Sequence, residues 1–295
     1  MFILILLFLL SACNSVFYQP DSLRWTLPED ISPKFEILRI SVGEKNETLE
    51  AIRYHSRVAK KGTIVHFHGN AQNMSAHVLF VAWLLDEGFD VLTFDYRGYG
   101  RSDGRANRLN TIEDGQAVLN WLAANSDVES YYIVAQSLGG AVALGSLNAM
   151  NPVNFKKLKG LVVESTFSSY RGLAQRKLAS FFLTWPLQWP LSFLVSDEFS
   201  PAVSLTKISA RALPTLVIHG TLDPVVPFSE GLALAELMTE EKIPVTLHPQ
   251  LGRGHTACFI GNQTLLSQPC KQQVMSFLTK NMASRLPQLN IHEAK

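Results

Sequence analysis

Three residues of this 295-residue chain could together do nucleophilic chemistry on a carbonyl carbon: Ser137 in VAQSLGGAV, Asp223 in HGTLDPVVP and His255 in GRGH. A serine hydroxyl is a weak nucleophile at its ordinary pKa and attacks only when an adjacent base takes its proton. Histidine supplies such a base near neutral pH, and a carboxylate behind it fixes the tautomer and stabilises the imidazolium. VAQS reads as the end of a strand and LGGAVALGSLNAM as a helix of small residues, so Ser137 falls on a strand-to-helix turn. Such a turn brings backbone close on both sides, and Ala135, Gly139 and Gly140 are small enough for it. The alternative reading is a serine that merely caps a helix.

Other chemistry has weaker support. Glu164, ending LVVE, is a second candidate for the carboxylate, with a buried hydrogen-bonding role as its alternative. His66 and His68 alternate around Phe67 without acids at ligand spacing, so no metal site is expected. His66 and His219 read as core, and His68 as a residue that holds a loop. No glycine-rich phosphate loop is present, so no nucleotide cofactor is implied. The net charge is +1, with 17% charged residues and no basic run, which leaves nucleic acid without a footprint.

The elements that must position these residues alternate along the chain. FEILRISV and ETLEAIRYHS read as a strand hairpin. TIVHFHG, DVLTFDYRG, YYIVAQS, LKGLVVEST, LPTLVIHG and PVTLHPQ read as further strands. NMSAHVLFVAWLLDEG, with Val78, Val81, Ala82 and Leu85 at helical spacing, reads as a helix. LNTIEDGQAVLNWLAAN, LGGAVALGSLNAM and SQPCKQQVMSFLTKNM also read as helices. Alternation of this kind gives an α/β fold, a mostly parallel eight-stranded sheet with helices on both faces. Ser137, Asp223 and His255 would all lie at carboxyl ends of strands, where open α/β sheets hold their sites. With 47% hydrophobic residues, one domain over 37–286 has ample core.

One insertion stands out. LASFFLTWPLQWPLSFLVS, residues 178–196, carries no charge over 19 positions. Pro186 and Pro190 interrupt it, and it lies between strands of one sheet, which excludes a membrane span. It falls in an expected cap, about 168–201, in which Phe181, Phe182, Trp185, Trp189 and Phe193 could line an acyl site or touch lipid at an interface. Packing of the same rings onto the core is the alternative.

The N-terminus is read apart from the fold. MFILILLFLL is too short to span a bilayer as a helix. It leads into Leu10-Ser11-Ala12-Cys13, which resembles the lipobox of bacterial lipoproteins. The expectation is a signal peptide over 1–12, lipidation and membrane attachment at Cys13, a tether over 13–36 rich in Pro and polar residues, and a tail over 287–295. An ordinary cleaved signal or a retained apolar segment is the other reading. In that family's logic, Asn14 after the cysteine leaves the protein free to reach the outer membrane of a Gram-negative envelope. Export would leave Cys258 and Cys270 as an even pair in an oxidising compartment, which favours a disulfide over two buried thiols.

VAQSLGG, HGTLDPVVP and GRGH, together with HFHGNAQN and FDYRGYGRSDG, resemble the serine α/β-hydrolases, in the serine aminopeptidase or monoacylglycerol-lipase-like branch. The resemblance runs from about Ile37 to about Met282. It implies an α/β-hydrolase fold and a Ser137–Asp223–His255 triad. It also implies an oxyanion hole from the backbone N–H of Leu138 and that of Asn70, with Ala71 as a rival to Asn70. Asp95, Arg97 and Arg101 would then pin a loop. The activity implied is hydrolysis of carboxylic esters on lipid-like or acylated substrates, without a cofactor. Thioester or peptide hydrolysis is the alternative, and a non-catalytic envelope binding protein on the same fold is the alternative of another class.

Overall fold

The strands that lead to Ser137 and Asp223 are buried along their whole length, because helices cover both faces of the sheet there, whereas the strand before His255 is only partly buried. In the computed structural model, which describes residues 17–179, 182, 184–258 and 268–283, eight strands form one sheet in the order β1-β2-β4-β3-β5-β6-β7-β8. They are β1 (Phe35–Val42), β2 (Glu47–Tyr54), β3 (Gly62–Phe67), β4 (Phe89–Phe94), β5 (Tyr131–Gln136), β6 (Leu158–Glu164), β7 (Thr215–Gly220) and β8 (Val245–Gln250). The hairpin β1–β2 is antiparallel, as is β2 against β4, and every other pairing is parallel. Every residue of β3, β4, β5 and β7 is buried. Their β-branched and aromatic runs are what a sheet covered on two sides selects. The fold is that of an α/β hydrolase.

Each crossover supplies a packing layer. α1 (Pro28–Ile31) and α2 (Met74–His77) are single turns, whereas α3 (Arg108–Ala124) and α4 (Leu138–Ala149) pack on one another beside the central strands. The helix expected over 73–88 does not run through. After α2 the chain takes 3₁₀ turns over Val78–Phe80 and Ala82–Leu85. Val78, Val81, Phe80 and Trp83 have restricted χ1 freedom in an α-helix, and short 3₁₀ pieces still bury Val78, Val81, Leu84 and Leu85. Between β6 and β7 the cap is built from α5 (Tyr170–Ala179), a 3₁₀ turn at Trp185–Leu187, α6 (Gln188–Ser192) and α7 (Pro201–Ile208). α8 (Phe228–Glu240) links β7 to β8, and α9 (Gln268–Ala283) closes the chain against β6. Among the described residues no helix is long and apolar enough to cross a membrane.

The segment expected to be a tether is packed from Phe17 onward. Tyr18 is buried. Asp21 and Leu23 accept hydrogen bonds from Asn73 Nδ2 through their carbonyls, at 3.2 and 2.7 Å. The Asp21 carbonyl also takes the N–H of Gly100 at 2.9 Å, Trp25 N–H donates to Ser75 Oγ at 2.9 Å, and Arg24 pairs with Glu50 at 2.7 Å. Proline and polar composition left this segment without periodicity, but its backbone polar groups find partners on loops at the sheet edge, which satisfies them at low cost. It forms a strap across the carboxyl end of the sheet. Cys13 and the stretch before it lie outside the described residues.

Candidate active site

β5 ends at Gln136 and α4 begins at Leu138, so one residue makes the whole reversal. That residue, Ser137, has φ 52° and ψ −119°. A non-glycine residue in this region is held by its surroundings at a cost of order 1–3 kcal/mol. Its N–H donates to the carbonyl of Glu164 on β6 at 2.8 Å. Ala135 needs no glycine's freedom: it is an in-register strand residue, between Phe67 and Val163. Gly139 does need to be glycine, because a Cβ there would be driven into the carbonyl oxygens of Phe67 and His68. The elbow is therefore formed with alanine at its first small position.

Asp223 follows β7 on a tight turn. Its Oδ1 accepts the N–H groups of Val225 and Val226 at 2.8 and 2.9 Å. Its Oδ2 accepts from His255 Nδ1 at 2.7 Å. Burial alone would raise its pKa, but hydrogen bonds from His219 and His255, the charge of His255 and the Val226 N–H hold it well below the usual range. It is thus an ionised acceptor, and it places the His255 proton on Nδ1. His219 stands behind it, with Nε2 2.8 Å from the Val226 carbonyl.

Ser137, Asn70 and Leu138 line one cavity of about 530 Å³, whose remaining wall is apolar apart from Lys177 and includes Phe17, Phe167, Leu173, Leu191 and Val195. Ser137 Oγ forms no hydrogen bond with His255 among the described residues, so the serine and the His–Asp pair are brought to the same sheet edge without the third contact. Such contacts are often loose in unliganded sites and tighten with substrate. Phe182, Trp185 and Trp189, expected to touch substrate, are instead 76%, 59% and 60% exposed and do not line the cavity. Phe181 lies outside the described residues. The short cap turns its small aliphatic side chains inward, and the rings that hydropathy singles out point away.

The second loop at the mouth is tightly held. Asn70 Oδ1 accepts from Gln19 N–H at 2.8 Å and from Tyr99 Oη at 2.9 Å. Asp95 Oδ1 accepts from Met74 N–H at 2.7 Å, so Asp95 does pin this loop. Arg97 pins the neighbouring one through Asp114 at 2.6 Å and Glu113 at 2.7 Å. Arg101 contributes its carbonyl, to Arg39. His68 holds the loop through Nδ1 and the Gly69 carbonyl, 2.8 Å apart. Burial pushes its pKa well below the ordinary value, and His77 adds to this. A histidine so buried, and so weakened in basicity, is a structural part of the loop.

Glu164 does not touch His255. Its Oε1 accepts the N–H of Cys258 at 2.7 Å, and its Oε2 accepts from Gln136 Nε2 at 2.9 Å. Gln136 Oε1 in turn accepts a hydrogen bond from His66 Nε2 at 3.1 Å. The buried hydrogen-bonding role is the alternative the sequence offered for Glu164, but its partners Gln136 and His66 were not foreseen, because they depend on the register that sets Gln136 opposite Glu164. Cys258 and Cys270 are joined in a disulfide with their Cα atoms 5.5 Å apart.

Residues 58–198 match the family model for serine aminopeptidase, S33. The elbow, the sheet order and this match agree. The chain has the α/β-hydrolase fold, and over residues 58–198 it is similar to the serine aminopeptidase family. It is 32% identical over 182 residues to the protein YfhR of Escherichia coli K12, covering 61% of this chain and 59% of that one. It is also 32% identical over 175 residues to the α/β-hydrolase domain-containing protein WAV2 of Arabidopsis thaliana, covering 56% of this chain and 54% of that one. The matched part thus spans about three-fifths of the length of such relatives or less. Among solved α/β-hydrolase structures, the Pyrococcus furiosus esterase Pf2001 superposes with a TM-score of 0.68 at 22% identity, covering 90% of this chain and 99% of that one. At that identity the likeness speaks for the fold.

Proposed function

We propose that the chain is a serine hydrolase that cleaves carboxylic esters of apolar acyl groups through Ser137, His255 and Asp223. The observation that carries this reading is a strained Ser137 opening into an apolar cavity beside a His255–Asp223 pair that leaves Nε2 free as a base. In the reaction, His255 Nε2 takes the Ser137 proton as Oγ bonds to the acyl carbon. The carbonyl oxygen becomes an oxyanion, which the N–H groups of Leu138 and Asn70, two residues that line the cavity, would stabilise. Leu138 opens α4, so its N–H belongs to the unpaired first turn of a helix. One such donor is worth about 3 kcal/mol in the transition state. His255 then gives the proton to the leaving alcohol. Water, deprotonated by the same nitrogen, releases the acyl group and restores the serine.

The apolar cavity wall supports a lipid-like or acylated substrate, and thioesters of the same acyl groups fit the same chemistry. Attachment to an envelope membrane through lipid on Cys13 belongs to this proposal. The test is labelling with a small fluorophosphonate, read by intact mass, of the protein and of Ser137→Ala. Addition to the first alone is the expected result. Addition to neither, with both folded, favours a non-catalytic binding protein.

A further inference from the structure

We infer that the strap before the first strand is a working part of this site: Phe17 sets the acyl length accepted, and the Gln19 backbone positions the oxyanion loop. The inference rests on the esterase reading and adds its specificity. Two independent contacts carry it.

The first is the wall. Phe17 lines the cavity that holds Ser137, and its ring meets Tyr170 edge-on at 5.3 Å between centroids. Tyr170 is fully buried at the start of the cap and also meets Phe167 at 4.8 Å. Tyr18 Oη sits 3.4 Å from Tyr170 Oη, which fixes the strap against the cap. Part of the acyl cavity wall is therefore made by a segment that belongs to neither the sheet nor the cap. Removing the ring would enlarge the cavity at that wall.

The second contact is the loop. Gln19 N–H donates to Asn70 Oδ1, and Tyr99 Oη donates to the same oxygen. With both donors in place the Asn70 side chain cannot turn, which holds this cavity-lining residue and its backbone in one position. Because only the backbone of Gln19 is used, its side chain identity is immaterial. A displacement of about 1 Å at a positioning contact can cost about 100-fold in rate.

The experiment measures kcat and KM for p-nitrophenyl esters from acetyl to dodecanoyl with wild type, Phe17→Ala, Gln19→Pro and Gln19→Ala, with melting curves for each. The expected result for Phe17→Ala is a shift of the kcat/KM optimum to longer chains, about tenfold between the ends of the series. Gln19→Pro should lower kcat about tenfold for every ester at constant KM, and Gln19→Ala, which keeps the N–H, should not. An unchanged chain-length profile in Phe17→Ala overturns the wall. Equal kinetics of the two Gln19 variants overturn the positioning contact. A strap with a purely structural role would lower the melting temperature and scale all esters alike. Binding of a fluorescent fatty acid to Ser137→Ala, with and without Phe17→Ala, reads the wall without turnover, so failure of the esterase reading is separately visible.

Discussion

The carbonyl oxygen of Glu164 holds the N–H of Ser137 at 2.8 Å, so the elbow is fastened to the strand beside it. The side chain of the same residue fastens the segment that follows His255, through Cys258 N–H at 2.7 Å. One residue of β6 thus ties together the serine turn and the histidine loop, although it touches neither functional side chain.

That arrangement separates the two carboxylates by role. Asp223→Asn should lower kcat by about 10⁴-fold, as loss of the acceptor behind a catalytic histidine does elsewhere. Glu164→Gln keeps an acceptor for Cys258 N–H and should cost less than about 100-fold. Parallel kinetics on one ester decide it. The reverse order of losses would move the acid to Glu164.

Glu164 also gives a pH signature. Burial raises its pKa to about 7 from an ordinary 4.5, against the lowering effect of hydrogen bonds from Gln136 and Cys258. A carboxyl raised in the folded state stabilises the fold fully below its unfolded pKa, and that stabilisation is lost as pH rises through the folded value. The stability of wild type relative to Glu164→Gln should therefore decline between about pH 5 and 7 and level off above. Denaturant midpoints of both proteins across that range test it, and parallel curves would show that Glu164 does not titrate there.

The disulfide secures the same residue from the other side. Replacing Cys258 and Cys270 together by alanine should cost about 2–4 kcal/mol. Activity should fall with it even where the protein remains folded, because the Cys258 backbone is what Glu164 holds. Urea titration and ester turnover, each with and without dithiothreitol, check the two parts.

Gly139 offers a packing test. A methyl group at this position meets two backbone carbonyls, Phe67 and His68, which cannot rotate away. Gly139→Ala should destabilise by about 1–3 kcal/mol and suppress fluorophosphonate labelling, whereas Ala135→Gly should keep labelling. Equal labelling by all three proteins would show that the elbow has slack.

Much of the core was legible because it rests on local signals. Phe35–Val42 alternates apolar and polar residues, and Thr215–Gly220 is a largely apolar run that ends in a turn. Ser137, Asp223 and His255 follow such runs, so the sheet edge that gathers them could be read from the chain. What was not legible depends on distant partners. Gln136 and Glu164 become a pair only through strand register, and Phe17 becomes a cavity wall only by meeting Tyr170, far along the chain. Hydropathy pointed to Trp185 and Trp189, but it cannot say which way a ring faces. α8 (Phe228–Glu240), with buried Leu234, Ala235 and Met238, carries an ordinary helical pattern that was not assigned.

The strap also sets a distance. Cys13 precedes Phe17 by four residues. At no more than about 3.6 Å per residue, the two cannot be more than about 14 Å apart. With lipid on Cys13, as proposed, one wall of the cavity would stay within about half the hydrocarbon thickness of the bilayer. Such a molecule samples acyl chains of its own leaflet at a high effective concentration fixed by the leash. Its turnover would then follow the mole fraction of substrate in that leaflet, and dilution into other lipids would slow it where dilution in water would not.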